Sequence, residues 1–112
     1  YHSGLKALEE RGLLRRPIIP VECEHNAHMY YILLPSVERR TALINHLKSK
    51  GIHAVFHYTP LHDSVMGLKH GHSSGGLEHT CDLSRRLLRL PLWLGMEEVQ
   101  EEVIQQVYAH LA

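Results

Sequence analysis

Two apolar runs on either side of a helical stretch constrain the fold of this chain most. Met29 to Leu34, MYYILL, is aromatic and aliphatic throughout and predicts a buried strand that Pro35 ends. Ala54 to Tyr58 predicts a second strand. Between them, Ser36 suits a helix N-cap and Gly51 a helix stop. A strand, a helix and a strand with short connections predict a right-handed crossover that leaves the two strands parallel.

The other elements are shorter and lie on both sides of this unit. Tyr1 to Leu13 reads as the tail of a helix, and Leu77 to Arg86 predicts a further short helix. Leu88 to Leu90 predicts a third strand, and a last helix follows Gly95. Thr59 to Gly76 is rich in glycine and serine and predicts a long irregular segment.

These elements predict a single two-layer α+β domain over residues 1–112. A small mixed sheet should carry helices on one face, with the third strand inserted between the first two. The chain opens inside a helical pattern without a cap, so we expect it to be part of a longer protein.

Charge and hydropathy exclude several function classes. The chain has 12 basic and 12 acidic residues, which leaves no electrostatic footprint for nucleic acid or an anionic membrane. Its longest apolar run, Met29 to Leu34, is far below the roughly 20 residues of a membrane span. Cys23 and Cys81 form no CxxC pair, so we expect two reduced thiols in a cytoplasmic protein.

Eleven histidines are the compositional outlier. A metal site would draw on His57 with His62, or on His70 with His72. Neither pair belongs to an HExxH helix or a Cys/His finger pattern. The sequence therefore predicts no metal ligands, and reads most of these histidines as dispersed surface and loop residues.

Two segments combine ring donors, arginines, a proline and apolar anchors more densely than packing requires. One is HYTPLHDS, residues 57–64, and the other is SRRLLRLPLWLG, residues 84–95. Together with YHSGLKALEERGLL, HNAHMYYILLPS and KGIHAVFHYTPLHDS, they resemble the C-terminal domain of the DegT/DnrJ/EryC1/StrS sugar aminotransferases. The resemblance runs almost end to end and implies the small domain of a fold-type I pyridoxal phosphate (PLP) enzyme.

This resemblance implies a division of labour. The Schiff-base lysine, the carboxylate at the pyridine nitrogen and the phosphate cradle belong to the family's larger N-terminal domain. The four lysines of this chain, Lys6, Lys48, Lys50 and Lys69, do not resemble the family's Schiff-base context. We therefore expect PLP in the parent protein, an active parent and an inactive isolated chain. The implied partners are that N-terminal domain, a homodimer subunit, glutamate as amino donor and a nucleotide sugar such as dTDP-4-keto-6-deoxyglucose.

The resemblance also implies substrate-binding residues on this domain. His57, Tyr58, His62 and Ser64 would face the nucleotide sugar, with Pro60 fixing the backbone that aims His62. For His57 a purely structural turn remains an equal alternative. Arg89 would bind the carboxylate of the amino donor, because a planar guanidinium can donate two parallel hydrogen bonds to a carboxylate. The alternative is a solvated arginine.

Two other functions remain open on sequence grounds. One is a free-standing α+β module that uses its histidine-rich loop for a metal or a small ligand. The other is an interaction domain whose apolar face pairs with another chain. An upstream reading frame that continues through a Schiff-base lysine motif would favour the aminotransferase.

Overall fold

A computed structural model describes all residues, 1–112, and contains five α-helices and one three-stranded sheet. In chain order the elements are α1 (Lys6–Glu10), β1 (Tyr30–Leu33), α2 (Val37–Ser49), β2 (Val55–Phe56), a 3-10 turn (Leu61–Asp63), α3 (Val65–His70), α4 (Glu78–Arg86), β3 (Leu87–Leu90) and α5 (Glu97–Leu111). None of the helices combines the length and the apolar character needed to span a membrane.

The third strand lies in the middle of the sheet, as predicted, in the order β1-β3-β2. Tyr30 pairs with Leu90 and Leu33 with Leu87, so β1 and β3 are antiparallel. Val55 pairs with Arg89, also antiparallel. β1 and β2 therefore run parallel to each other, as the crossover rule predicted. The predicted mixed sheet is wrong in one respect: β3 separates the parallel strands, so every hydrogen-bonded pair is antiparallel.

The core lies between one face of this sheet and the helices. Ile32 and Leu88, paired across β1 and β3, are fully buried. Alternate residues along each strand point to the same face, which places Leu34 and Leu90 on this side too. Helices α2 and α5 pack against each other, and their buried residues Leu43, Leu47, Val103, Ile104 and Val107 join the same apolar cluster. The structure thus confirms the predicted small α+β domain.

Helix α2 begins and ends where the sequence predicts. The Ser36 hydroxyl accepts a hydrogen bond from the Arg39 backbone N–H at 3.3 Å, which satisfies one of the free donors of the first turn. Gly51 has φ +75°, a left-handed conformation that ends the helix at little steric cost.

The segment from Thr59 to Gly76 is more regular than predicted. It contains the 3-10 turn and helix α3, and its longest stretch without helix or strand is residues 71–76. Gly67, one of the glycines from which an irregular segment was predicted, is required by packing. A Cβ at this position would lie 1.6 Å from the Leu61 carbonyl oxygen. The turn and α3 therefore pack closely only because residue 67 has no side chain.

Candidate functional site

The end of β2 brings three of the predicted site residues together. Register places Arg89 opposite Val55, on the sheet face that points away from the core helices. The guanidinium carbon of Arg89 lies 5.5 Å from the centroid of the Tyr58 ring, within cation–π range. The His57 ring centroid is 5.0 Å from that of Tyr58. Tyr58 itself is 72% exposed, so its hydroxyl is open to a ligand.

Three buried nitrogen atoms around this strand end have no hydrogen-bond partner. They are His57 Nδ1, Arg89 Nε and Arg40 Nε. Buried polar groups in proteins almost always have partners, because an unpaired one loses its hydration without compensation. Three of the four such atoms in the chain therefore lie beside one two-residue strand, and the fourth is His46 Nε2 on α2.

A shallow cleft of about 240 Å³ opens beside His57 and Tyr58. Arg40 from α2 and Arg85 from α4 line it, together with Asp63. The Arg40 guanidinium carbon lies 5.5 Å from the Phe56 ring centroid, which holds the side chain against β2. Two guanidinium groups and one carboxylate make this cleft suited to an anionic ligand.

Sequence reasoning missed Arg40 and assigned no role to Arg85. A signal for Arg40 does exist in the helical periodicity. It precedes Leu43 and Leu47 by three and seven residues, so it shares the face of α2 that packs on the sheet. An arginine on the apolar face of a helix is a candidate for a site at the edge of the core. Nothing in the sequence places Arg85 near β2, because that contact depends on how α4 packs.

Arg86 has a structural role. Its Nε donates to Asp82 Oδ1 at 2.8 Å, and its Nη1 donates to the Leu34 carbonyl oxygen at 2.9 Å. The hydrogen bond from Arg86 lowers the pKa of Asp82 and the same contact raises the pKa of Arg86. Arg86 therefore ties α4 to the end of β1, while Arg85 and Arg89 remain available to a ligand.

His62 and Ser64 lie apart from the group formed by His57, Tyr58 and Arg89. His62 Nε2 is 3.2 Å from Cys81 Sγ on α4, and the ring lines a different and larger cavity. The Ser64 hydroxyl accepts from the Gly67 backbone N–H at 2.9 Å and donates to the Leu61 carbonyl at 2.8 Å. The structure thus divides the five predicted residues into two groups and engages the Ser64 hydroxyl in capping α3.

The fold is a small α+β domain whose sheet edge is lined by arginines. The chain belongs to the DegT/DnrJ/EryC1/StrS aminotransferase family, whose sequence model matches residues 1–111. It is similar to the aminotransferase TlmJ from Streptoalloteichus hindustanus, with 26% identity and a TM-score of 0.81 over 98% of this chain and 29% of TlmJ. It is also similar to S. venezuelae DesV, solved in complex with a ketimine intermediate, with 25% identity and a TM-score of 0.81 over 96% of this chain and 29% of DesV.

A third solved structure has the same fold at lower identity. Spr1654 from Streptococcus pneumoniae, assigned as a sugar aminotransferase and solved in a PLP form, has 22% identity and a TM-score of 0.70. That match covers 99% of this chain and 28% of Spr1654. The chain therefore spans less than a third of the length of these solved relatives and corresponds to their C-terminal part.

The residues of this chain do not fit PLP. All four lysines are exposed, and the amino group of Lys6 lies 3.5 Å from Glu10. The longest helix, α5, has Glu97 and Glu98 in its first turn, where a phosphate would need unopposed N–H groups. Within these 112 residues there is neither a sheltered lysine for a Schiff base nor a phosphate cradle.

Proposed function

We propose that this chain is the C-terminal domain of a PLP-dependent nucleotide-sugar 4-aminotransferase. The proposed donor is glutamate and the proposed acceptor is dTDP-4-keto-6-deoxyglucose, which gives dTDP-4-amino-4,6-dideoxygalactose. The proposed pathway is bacterial surface polysaccharide synthesis, such as that of enterobacterial common antigen. Family membership supports the reaction class. The HYTPLHDS and SRRLLRLPLWLG segments support the choice of substrate through their resemblance to enzymes of that specificity.

The observation that carries a substrate-binding role is the open cleft beside Tyr58. Arg40, Arg85 and His57 line this cleft, and Tyr58 is exposed on the same strand end. A nucleotide sugar offers hydroxyl and phosphate oxygens that accept hydrogen bonds from such side chains. The domain thus acts by binding and orienting the substrate, while PLP supplies the amino-transfer chemistry from the N-terminal domain.

Within the proposed binding site, we assign the anionic and neutral parts of the substrates to different residues. The cleft between Arg40 and Arg85 suits the pyrophosphate, because paired guanidinium groups bind phosphate oxygens in a bidentate geometry. Tyr58 and His57 then meet the sugar. Arg89, whose guanidinium carbon lies 5.5 Å from the Tyr58 ring centroid, does not line this cleft and is proposed to hold a carboxylate of glutamate.

A separate role is proposed for His62 and Ser64, which lie apart from this cleft. His62 Nδ1 makes no hydrogen bond within the chain, so it is the ring atom left for a substrate oxygen. Ser64 contributes through the cap of α3, which fixes the turn that carries His62.

The proposed partners are a large N-terminal domain and a second subunit of a homodimer. Several apolar side chains near the site are widely exposed in this chain: Tyr58, Leu61, Val65, Met66 and Leu68. Exposed apolar groups that cluster along one segment usually mark a contact surface. Covering them would also exclude water from the substrate site.

The experiment that tests this function compares the 112-residue chain with the product of the complete reading frame. The complete protein should bind PLP on a lysine and transfer the amino group of glutamate to dTDP-4-keto-6-deoxyglucose, detected by mass spectrometry of the sugar nucleotide. The 112-residue chain should show neither PLP–lysine absorbance nor turnover. Borohydride trapping of PLP on Lys6, Lys48, Lys50 or Lys69 would contradict the proposed division between domains.

A further inference from the structure

A set of three metal-ligand side chains lies between the 3-10 turn and helix α4. His62 Nε2 is 3.2 Å from Cys81 Sγ and 3.7 Å from Asp63 Oδ1. One ligand atom from each of the three residues lies within 4.8 Å of the other two. His62 and Asp63 are adjacent on the turn, whereas Cys81 comes from the helix 19 residues further on. The fold, and not a sequence motif, assembles this group.

The two separations from His62 Nε2 are close to those between ligand atoms of a tetrahedral zinc site. With Zn–N and Zn–O distances of about 2.0–2.2 Å and Zn–S of about 2.3 Å, tetrahedral angles place the ligand atoms about 3.4–3.6 Å apart. The two separations seen here, 3.2 and 3.7 Å, lie on either side of that range. For these two pairs, ion binding requires adjustments of only a few tenths of an ångström, and the third pair lies within 4.8 Å.

Donor chemistry and accessibility favour the same ion. A thiolate, an imidazole and a carboxylate are the three ligand types of zinc, and a thiolate disfavours Mg²⁺ and Ca²⁺. A thiolate and a carboxylate carry two negative charges, which balance a divalent cation when the imidazole is neutral. The His62 side chain is 23% exposed and that of Asp63 is 44% exposed, so an ion can reach the site and keep a water ligand.

We infer that His62, Asp63 and Cys81 form a zinc-binding site with three protein ligands and a fourth position open to solvent. Zinc binding breaks the Cys81 S–H bond, forms a zinc–sulfur bond and releases that proton to water, with no change of oxidation state. Coordination at His62 Nε2 leaves the ring proton on Nδ1. The site therefore holds His62 in a single orientation and a single tautomer, with its donor pointing away from the metal.

This site shares His62 with the proposed substrate-binding residues, but its test needs neither PLP nor transamination. The 112-residue chain, free of any histidine tag and stripped of metal, is titrated with Co²⁺, and Zn²⁺ is then added in competition. A tetrahedral site with one thiolate should give intense visible bands and a near-ultraviolet thiolate-to-cobalt band at one ion per chain. One equivalent of Zn²⁺ should abolish these bands.

Matched variants assign the ligands. Cys81→Ser should remove the thiolate band and weaken Zn²⁺ binding more than about tenfold, and Asp63→Asn should weaken Zn²⁺ binding with the thiolate band retained. Cys23→Ser, at an exposed cysteine far from the cluster, and His72→Gln, in the neighbouring loop, should leave both readouts unchanged. Far-ultraviolet circular dichroism verifies that each variant is folded, and His62→Gln is a third ligand variant.

Two results would overturn the inference. One is the absence of a thiolate band when Co²⁺ binds the wild-type chain, which would indicate adventitious binding by surface histidines. The other is a Cys81→Ser chain that retains the band and the wild-type Zn²⁺ affinity. Neither result bears on transamination by the complete protein.

Discussion

The helix side of the sheet and the segment that follows β2 use apolar side chains in opposite ways. Leu43 and Leu88 are fully buried between the sheet and the helices. Leu61 and Val65, no less apolar, are more than 80% exposed. The first set supplies the burial that makes the domain fold. The second set contributes little to folding and lies beside the candidate site, so it is placed to contact something outside this chain. Stability and recognition are therefore separated in space.

Amide hydrogen exchange should show the largest contrast between the two regions. Amides of β1, β3 and α2 should exchange only through global unfolding, because their side chains form the core. Amides of residues 59–76 should exchange through local opening that costs little free energy, because no side chain of the 3-10 turn or α3 is buried. Mass spectrometry after timed exchange measures this difference. Strong protection throughout residues 59–76 would show that this segment is stable without a partner.

Truncating a core leucine should cost far more stability than truncating an exposed one. Leu88→Ala should lower the free energy of unfolding by about 2–5 kcal/mol, because it leaves a cavity in the centre of the sheet. Leu68→Ala on α3, where the side chain is 72% exposed, should change it by less than about 0.5 kcal/mol. Urea denaturation followed by circular dichroism measures both. Similar losses in the two variants would place α3 in the cooperative core.

Kinetics of the complete protein should distinguish the residues proposed to bind the keto sugar from Arg89, which is proposed to bind glutamate. Tyr58→Phe and His62→Ala should lower the specificity constant for the keto sugar roughly 3- to 100-fold, from about 0.5–3 kcal/mol of lost hydrogen bonding. The half-reaction with glutamate should be little changed in both. Arg89→Ala should show the reverse, and Arg89→Lys should recover only part of the loss, since lysine lacks the planar fork. Rapid-mixing absorbance measures each half-reaction separately.

A result in which all four variants behave like the wild type in both half-reactions would show that HYTPLHDS and SRRLLRLPLWLG are packing segments. The family assignment would stand, but the proposed site would not.

The smallest expected effect is a loss of stability in mild acid at the contact between α2 and α5. The His46 and His110 ring centroids lie 4.9 Å apart. Burial lowers the pKa of His110 from its usual 6.5, with further lowering by His46 and Arg39. The folded state therefore binds fewer protons than the unfolded state, and stability falls as pH drops below about 6.5 towards the folded pKa.

Thermal unfolding midpoints measured between neutral and mildly acidic pH test this effect. His110→Gln should flatten the pH dependence, and His70→Gln, at an exposed position on α3, should not. An unchanged pH dependence in His110→Gln would assign the acid sensitivity to other groups.

Most of the fold could be predicted because its signals are local. The strand at residues 29–34, the Ser36 cap and the glycine after α2 each depend on neighbouring residues, and all three are confirmed. Helix α3 could not be predicted, because a glycine in a helix usually destabilises it. The reason for Gly67, its close approach to the Leu61 carbonyl, is visible only in the structure. The strand order was predicted correctly, but the sheet was predicted to be mixed. Because β3 lies between the two parallel strands, both hydrogen-bonded pairs are antiparallel.

The candidate site was less predictable because it depends on register and helix packing. Tyr58 and Arg89 are 31 positions apart, and only the pairing of Val55 with Arg89 brings them together. The contact between His62 and Cys81 similarly requires α4 to pack beside the 3-10 turn. The histidine spacing predicted no metal ligands, because it contains no known metal-binding motif, whereas the structure brings His62 close to a thiol and a carboxylate.

The central position of β3 also determines the order in which the domain can form during synthesis. Strands β1 and β2 have no hydrogen-bonded contact with each other, and within the sheet each pairs with β3, while β1 has one further bridge from Leu33 to Arg15. A nascent chain that ends before Leu87 can form α2, but it has no sheet on which that helix can pack. The sheet can therefore close only when more than three quarters of the domain has been translated, and until then Tyr30, Tyr31 and Ile32 lack their β3 partners.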